Sequence, residues 1–262
     1  APAEPAGLRY ADGRVSPDGA WVVCVREVHP AGGDGTSGHQ EPANQIVAVP
    51  AGGGSVTVLH DRHDFVAAPR LSPDGRWLAW LAWDHPAMPW DRTELWVARF
   101  ADGAVHDARC LLGDDRAEGG PAGGEALVQP EWGPDGRLYV CSDRSNWWNL
   151  YRFEPDADGR PVGFPAALTA LEADIALPAW VFGRSRYAFT PEGDAVVFAH
   201  GGGDHVHLGV LDLHDHGLRD IETGLAALEA VRVRRRAGDG GLEVVGGGAG
   251  FGVEAAVVAI DQ

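Results

Sequence analysis

Short apolar runs bounded by glycine, proline and aspartate recur along the chain. Trp21-Val22-Val23-Cys24-Val25, the run 77–83, Leu138-Tyr139-Val140-Cys141 and Ala195-Val196-Val197-Phe198 are rich in β-branched and aromatic residues. They are apolar at successive positions, which predicts strands buried on both faces. Two stretches, 168–177 and 225–233, have some local helical propensity. The repeat described next assigns strands to both.

Each strand-like run follows the same bend. Ser16-Pro17-Asp18-Gly19 returns as Ser72-Pro73-Asp74-Gly75, then as Gly133-Pro134-Asp135-Gly136 and, in altered form, as Thr190-Pro191-Glu192-Gly193. Successive glycines are 56, 61 and 57 residues apart, and Ala237-Gly238-Asp239-Gly240 is a possible fifth copy. Proline presets one φ, aspartate tolerates the next position and glycine takes the strained conformation after it, so each copy marks a hairpin bend.

The second period can be read to its end: 94–100, an Asp102-Gly103 turn and 105–112 follow the central run, with 148–153 and 206–213 as counterparts in later copies. Every period then holds about four short strands, the content of one propeller blade. The sequence predicts an all-β chain: a β-propeller of four-stranded antiparallel blades, with four clear blades and part of a fifth, and 1–262 as a single propeller segment. The start at Ala1 without methionine, and the lack of an outermost strand after 254–260, lead to the expectation of an excerpt from a larger propeller.

Composition narrows the partners. There are 38 acidic residues against 21 basic ones, a formal charge of -17, and every basic residue is arginine. Such a surface offers no positive footprint for phosphate, so no nucleic acid is expected. Cys24, Cys110 and Cys141 are too scattered for a disulfide framework or a metal clip and are expected to be free buried thiols. No apolar run reaches the roughly 18 residues that span a bilayer, so no membrane partner is expected and the location expected is cytoplasmic. Of ten tryptophans, Trp21, Trp77, Trp80, Trp83, Trp96, Trp132 and Trp148 fall on predicted strands as packing between blades, whereas Trp90, Trp147 and Trp180 fall in or beside loops.

Longer strings are more specific than the bend. Leu71-Ser72-Pro73-Asp74-Gly75-Arg76-Trp77-Leu78-Ala79-Trp80, His85-Pro86-Ala87-Met88-Pro89-Trp90-Asp91-Arg92-Thr93-Glu94-Leu95-Trp96, Gln129-Pro130-Glu131-Trp132, Ser142-Asp143-Arg144-Ser145-Asn146-Trp147-Trp148-Asn149-Leu150-Tyr151-Arg152 and Trp180-Val181-Phe182-Gly183 resemble the propeller of bacterial prolyl oligopeptidase family serine peptidases. The likeness covers roughly residues 8 to 260 and is nearest to the dipeptidyl aminopeptidase and acylaminoacyl-peptidase branch. It implies a propeller, commonly of seven blades, capping a C-terminal α/β-hydrolase domain with a Ser-Asp-His triad that cleaves short peptides. No Gly-x-Ser-x-Gly occurs in the chain, and Ser185 in Gly183-Arg184-Ser185-Arg186 lacks the second glycine. No catalytic residue, metal or cofactor is therefore assigned to it.

Strand alternation puts the tight bends on one rim and the longer connections 28–44, 60–65, 84–92, 112–126, 143–147 and 201–205 on the other. Long loops on a rigid scaffold commonly carry binding. The sequence suggests that this rim faces the hydrolase domain and a short peptide substrate, with Trp90, Asp91, Glu125, Asp143, Arg144 and Trp147 as contacts. Carboxylates there would suit an amino terminus, arginine a carbonyl or carboxylate, and tryptophan an apolar side chain. Contacts between blades or domains are the competing use of these six.

His205-x-His207 and His214-x-His216, with Asp204, Asp212 and Asp215, have metal-ligand spacing, but a solvated strand and hairpin is the favoured reading. Gly246-Gly247-Gly248-Ala249-Gly250-Phe251-Gly252 has neither a following lysine nor a strand-to-helix setting, so a hairpin loop is expected instead of a phosphate cradle. Sialidase-type repeats place a residue between Asp and Gly, whereas Asp74 and Gly75 are adjacent. TolB-like interaction propellers share the bend and are the alternative to a peptidase.

Overall fold

The computed structural model describes residues 7–29, 41–113, 124–202, 205–238, 241–250 and 253–261. It contains strands and turns with no helix among the described residues, and forms two compact units, Ala1–Trp132 and Gly133–Gln262.

The first unit holds two four-stranded antiparallel meanders. One runs β1 (Leu8–Val15), β2 (Trp21–Val28), β3 (Ala43–Pro50) and β4 (Thr57–His60), the other β5 (Phe65–Leu71), β6 (Trp77–Trp83), β7 (Glu94–Ala101) and β8 (Ala104–Leu112). β9 (Leu127–Trp132) opens the third period. β6 is buried along its whole length, as its unbroken apolar run requires, and Trp80 is fully buried. Val23, Val25, Ile46, Leu78, Trp80 and Ala98 form one core, with Trp21 and Trp96 packed against it.

The repeated bend works through its serine. Ser72 Oγ accepts the Trp77 amide at 2.9 Å and donates to Asp74 Oδ1 at 2.6 Å, while the Gly75 amide closes on the Ser72 carbonyl at 2.8 Å with Gly75 at φ 73°. The Ser16 copy repeats this set, with Ser16 Oγ donating to Asp18 Oδ1 at 2.5 Å. In the third copy Gly133 stands in the serine position. An added Cβ there would lie 2.7 Å from the Tyr139 ring, whose hydroxyl donates to Asp135 Oδ2 at 3.1 Å.

A second periodic feature was not visible in the residue types. Asp12, Ala68 and Gln129 sit at φ 51°, 51° and 50° on the first strand of their periods, each seven residues before the glycine of its bend. In β1 and β5 this is where the register shifts as a β-bulge. The bulge turns the Ala68 amide toward β1, where Asp12 Oδ2 accepts it at 3.1 Å. Arg70, 4% exposed, then joins three successive periods: Nη1 donates to Asp12 Oδ1 at 3.1 Å and Nε to Glu131 Oε1 at 2.8 Å, while its carbonyl accepts Trp132 Nε1 at 3.0 Å. Burial works against the Arg70 charge, but Glu131 and Asp12 outweigh it and raise the guanidinium's pKa.

In the second unit β10 (Leu138–Ser142), β11 (Asn149–Pro155) and β12 (Pro161–Ala167) are antiparallel neighbours. β13 (Tyr187–Phe189), β14 (Ala195–Gly202), β15 (His205–Asp212) and β16 (Leu218–Leu225) form a four-stranded meander. β17 (Ala227–Arg235), β18 (Leu242–Gly250) and β19 (Val253–Asp261) form a three-stranded one. Val197, Leu208, Leu228, Val231 and Val244 share a core across the last two sheets.

Two expectations are corrected. Residues 168–177 are not a strand but a connection, because Asn149, Thr169 and Leu171 satisfy one another's polar groups off the sheet. The described part of the glycine run, 246–250, lies within β18, not in a hairpin loop. Its smallness serves close approach: a Cβ on Gly246 would meet the Glu229 carbonyl at 2.7 Å and the Leu228 side chain at 2.9 Å, beside the bulge at Ala230. Phe251 and Gly252 lie outside the described residues.

Candidate functional site

In these meanders the bend after the first strand and the connection after the second lie at opposite ends of the sheet. The 84–93 connection between β6 and β7 thus opens away from the Ser72-Pro73-Asp74-Gly75 bend, as does 143–148 between β10 and β11 relative to the bend at Pro134. Residues 201, 202 and 205, expected in a longer connection, lie instead in β14 and β15, where Gly202 pairs with His205.

In the first unit the 84–93 connection presents Trp90, 42% exposed, on a turn closed by Asp91. The Asp91 amide donates to the Met88 carbonyl at 2.9 Å, and Asp91 Oδ2 accepts the Met88 amide at 2.9 Å. Fully buried Thr93 anchors its end: Oγ1 donates to the Leu127 carbonyl at 2.8 Å and accepts the Leu127 amide at 2.6 Å, while the Thr93 amide reaches the Glu125 carbonyl at 3.0 Å. Gly124, at φ 98°, lets this segment close in: a Cβ there would lie 3.1 Å from the Asp91 carbonyl. The fold therefore brings Trp90 and Asp91 beside the Glu125 segment. Glu125 itself is only 3% exposed, so it lies behind the surface.

In the second unit 143–148 is a tight turn in which the Asn146 amide donates to the Asp143 carbonyl at 2.8 Å with Asn146 at φ 69°. Arg144 is folded back: Nε donates to Ser142 Oγ at 3.2 Å, and the guanidinium carbon lies 4.9 Å from the Tyr151 ring centroid. Trp147 stands out at 40% exposure. The turn is held from below by Asn149, 1% exposed, whose Oδ1 accepts Thr169 Oγ1 and the Leu171 amide, both at 2.8 Å, and whose Nδ2 donates to the Leu171 carbonyl at 3.0 Å. Asp174 Oδ1 accepts the Trp148 amide at 2.9 Å, so 143–148 and 168–175 form one stapled piece. Further along this connection Trp180, Val181 and Phe182 are exposed.

Three features escaped the sequence reading. Asn149 was unremarkable as a residue type, and its role depends on Thr169 and Leu171, about twenty residues on. Arg186, buried next to Cys141, donates from Nη2 to the Gly201 carbonyl at 3.2 Å, and burial lowers its pKa. A histidine pair, His60 and His63, lies under the 84–93 connection; its spacing was the available signal.

Of the residues with metal-ligand spacing, Asp204 lies outside the described residues. His207 instead faces Asp220, with Nδ1 3.2 Å from Oδ2, and shares that carboxylate with His200 at 2.6 Å. Asp212 is spent on the hairpin, where Oδ1 accepts the His214 amide at 2.7 Å and the Asp215 amide at 3.1 Å. Among the described residues no group of three or more such side chains is placed to hold a metal ion. Among them also no helix is long and apolar enough to cross a membrane.

Antiparallel meanders, four-stranded except for the three-stranded β17–β19 and recurring with a bend after the first strand of most of them, define a propeller part. The chain is similar to a puromycin hydrolase at 35% identity and TM-score 0.78, covering 99% of this chain and 37% of that one. It is similar to a Mycobacterium tuberculosis puromycin-hydrolyzing peptidase at 35% identity and TM-score 0.80, with the same shares covered. TolB from Acinetobacter baumannii matches at 15% identity and TM-score 0.54 over 91% of this chain and 52% of that one, which shows the fold alone. No family model and no curated protein matches. The chain belongs to the prolyl oligopeptidase family as a propeller part, spanning about a third of the length of the two hydrolases.

Proposed function

We propose that the chain is the non-catalytic region of a serine peptidase of this family, gating the approach of short peptides or aminoacyl amides to an α/β-hydrolase domain and supplying contacts to them. The observation that carries this reading is the 35% identity to two puromycin-cleaving enzymes over 99% of the chain. The reaction would be acyl transfer to water through a serine ester, with the serine outside these 262 residues. The dipeptidyl aminopeptidase and acylaminoacyl-peptidase branch supplies the substrate class, and an aminoacyl nucleoside such as puromycin fits it.

Within the chain, Trp90 and Trp147 offer apolar faces. Asp91 and Asp143 offer carboxylates for an amino terminus, and Arg144, once unfolded from Tyr151, a bidentate donor for a carbonyl or carboxylate. Glu125 acts from behind, through the carbonyl that holds Thr93.

The test uses the protein that carries the chain. It should be labelled by a fluorophosphonate and should hydrolyse puromycin and aminoacyl arylamides. Trp147→Ala or Trp90→Ala should raise KM severalfold while the label is retained. Absence of a reactive serine would overturn the peptidase reading in favour of a TolB-like interaction module. Unchanged KM and kcat in both variants would overturn the contact residues alone.

A further inference from the structure

Beneath the 84–93 connection, His60 at the end of β4 and His63 just beyond it lie against each other, with ring centroids 4.9 Å apart and an interplanar angle of 11°. His60 Nε2 is 2.7 Å from His63 Nδ1, a separation that requires one proton between the two nitrogens. The far nitrogen of His63, Nε2, lies 3.2 Å from Glu94 Oε2 and 4.0 Å from Asp84 Oδ2. Glu94 Oε2 in turn accepts Trp96 Nε1 at 2.7 Å. Trp80 and Trp96 enclose His60 at 5.1 and 5.5 Å, and His60 is 6% exposed.

Asp84 and Glu94 are the two stems of the 84–93 connection: Asp84 follows β6 directly and Glu94 begins β7. Two further bonds tie the first stem to the histidine segment. The Asp64 amide donates to Asp84 Oδ1 at 2.7 Å, and the His85 amide donates to Asp64 Oδ2 at 2.9 Å. A single imidazole ring thus stands between both stems of the segment that displays Trp90 and Asp91.

We propose that one proton shared along the His60–His63–Glu94 chain clasps the two stems of the 84–93 connection, so that His63 is a positioning residue and the setting of this connection depends on pH. With the proton on His63, the ring is a cation between Glu94 and Asp84, and neutral His60 accepts its Nδ1–H. Without it, His63 still donates to Glu94, but the charge attraction to both stems is gone.

The groups facing the pair are Asp61, Arg62, Asp64, Asp84 and Glu94. The hydrogen bond to Glu94 holds the His63 pKa above the ordinary histidine value against burial. Burial, then the neighbouring His63 and Arg62, pushes His60 down to about 4. Burial works to raise the Glu94 carboxyl, and hydrogen bonds from His63 and Trp96 hold it low. The signs follow from linkage. His63, raised in the fold, stabilises below the unfolded value of about 6.5, and that contribution is lost as pH rises through its folded value. His60, depressed in the fold, contributes above about 6.5 and loses its contribution as pH falls toward 4.

The test needs no substrate. In the full chain, long-range 1H–15N spectra near pH 6 should show His63 protonated at both nitrogens and His60 neutral with its lone pair on Nε2. Amide exchange of 85–92, corrected for intrinsic rates, should quicken about threefold as pH rises through the His63 titration, the size of a partly exposed ion pair. Glu94→Gln and, separately, the milder Asp84→Asn should flatten that step. Independent titration of both histidines near the ordinary value, or an unchanged step in both variants, would overturn the clasp. Its consequence for ligand binding rests on the proposed role of Trp90 and Asp91. If exchange shows the clasp but KM of the peptidase is flat over the same pH range, that role fails and the clasp stands.

Discussion

Replacing Arg70 with methionine tests the first-strand lock that joins three periods of the first unit. The arginine side chain is 5% exposed and the Asp12 carboxylate it pairs with is 2% exposed, whereas Glu131, at 27%, can turn to water. Methionine keeps most of the stem's packing, so the loss is electrostatic. Removing one partner of a buried pair costs up to about 3–5 kcal/mol, and here Asp12 keeps the Ala68 amide and Arg14 Nη1 at 3.6 Å, so a loss at the lower end of that range is expected. At about 2–4 °C per kcal/mol for a chain of this size, the melting temperature should fall by about 10 °C. Urea denaturation measures the loss, and a double variant identifies its cause: adding Asp12→Asn removes the charge left behind and should recover most of it. A cost below about 1 kcal/mol, or no recovery in the double variant, would refute the reasoning.

Other expectations follow from single contacts. Asn149→Ala strands the Leu171 amide and carbonyl and frees the 143–148 turn, so it should cost about 2–4 kcal/mol in urea melts and quicken amide exchange of 143–148. Gly209→Ala puts a methyl 2.3 Å from the Phe198 ring, and should lower the urea midpoint by the equivalent of about 2–3 kcal/mol without changing the circular dichroism of the folded chain. Gly103→Ala should be comparably harmful, because it adds a Cβ 2.4 Å from the Trp21 ring at a φ of 73°. Trp147→Ala, removing a side chain 40% exposed, should leave stability within about 0.5 kcal/mol while raising KM in the peptidase.

The blades were legible in the sequence because their cause is local. Serine, proline, aspartate and glycine close a bend by contacts within about five residues, and β-rich runs follow at once. The third copy remained readable without its serine because Asp135 and Gly136 keep the turn. The irregularity of the first strands was hidden, because Asp12, Ala68 and Gln129 share a backbone conformation and no side-chain chemistry. The 168–177 connection was misread since the repeat called for a strand where Asn149 supplies competing hydrogen bonds. The glycine run at 246–250 looked like a loop in one dimension. Its reason, the Glu229 carbonyl crowding Gly246, is a contact across strands. Exposure of Trp90 and Trp147 was foreseen from their place in loops, whereas the burial of Glu125 was not, because its segment is held by Thr93, about thirty residues away at the end of another connection.

Photo-crosslinking tests most directly whether the long connections receive substrate. A puromycin analogue bearing a benzophenone, bound to the peptidase that carries this chain and irradiated, should attach to peptides spanning 84–93 and 143–149, and an excess of unlabelled puromycin should prevent it. Attachment at the bends 16–19 and 72–75 instead, or none within residues 1–262, would contradict the account.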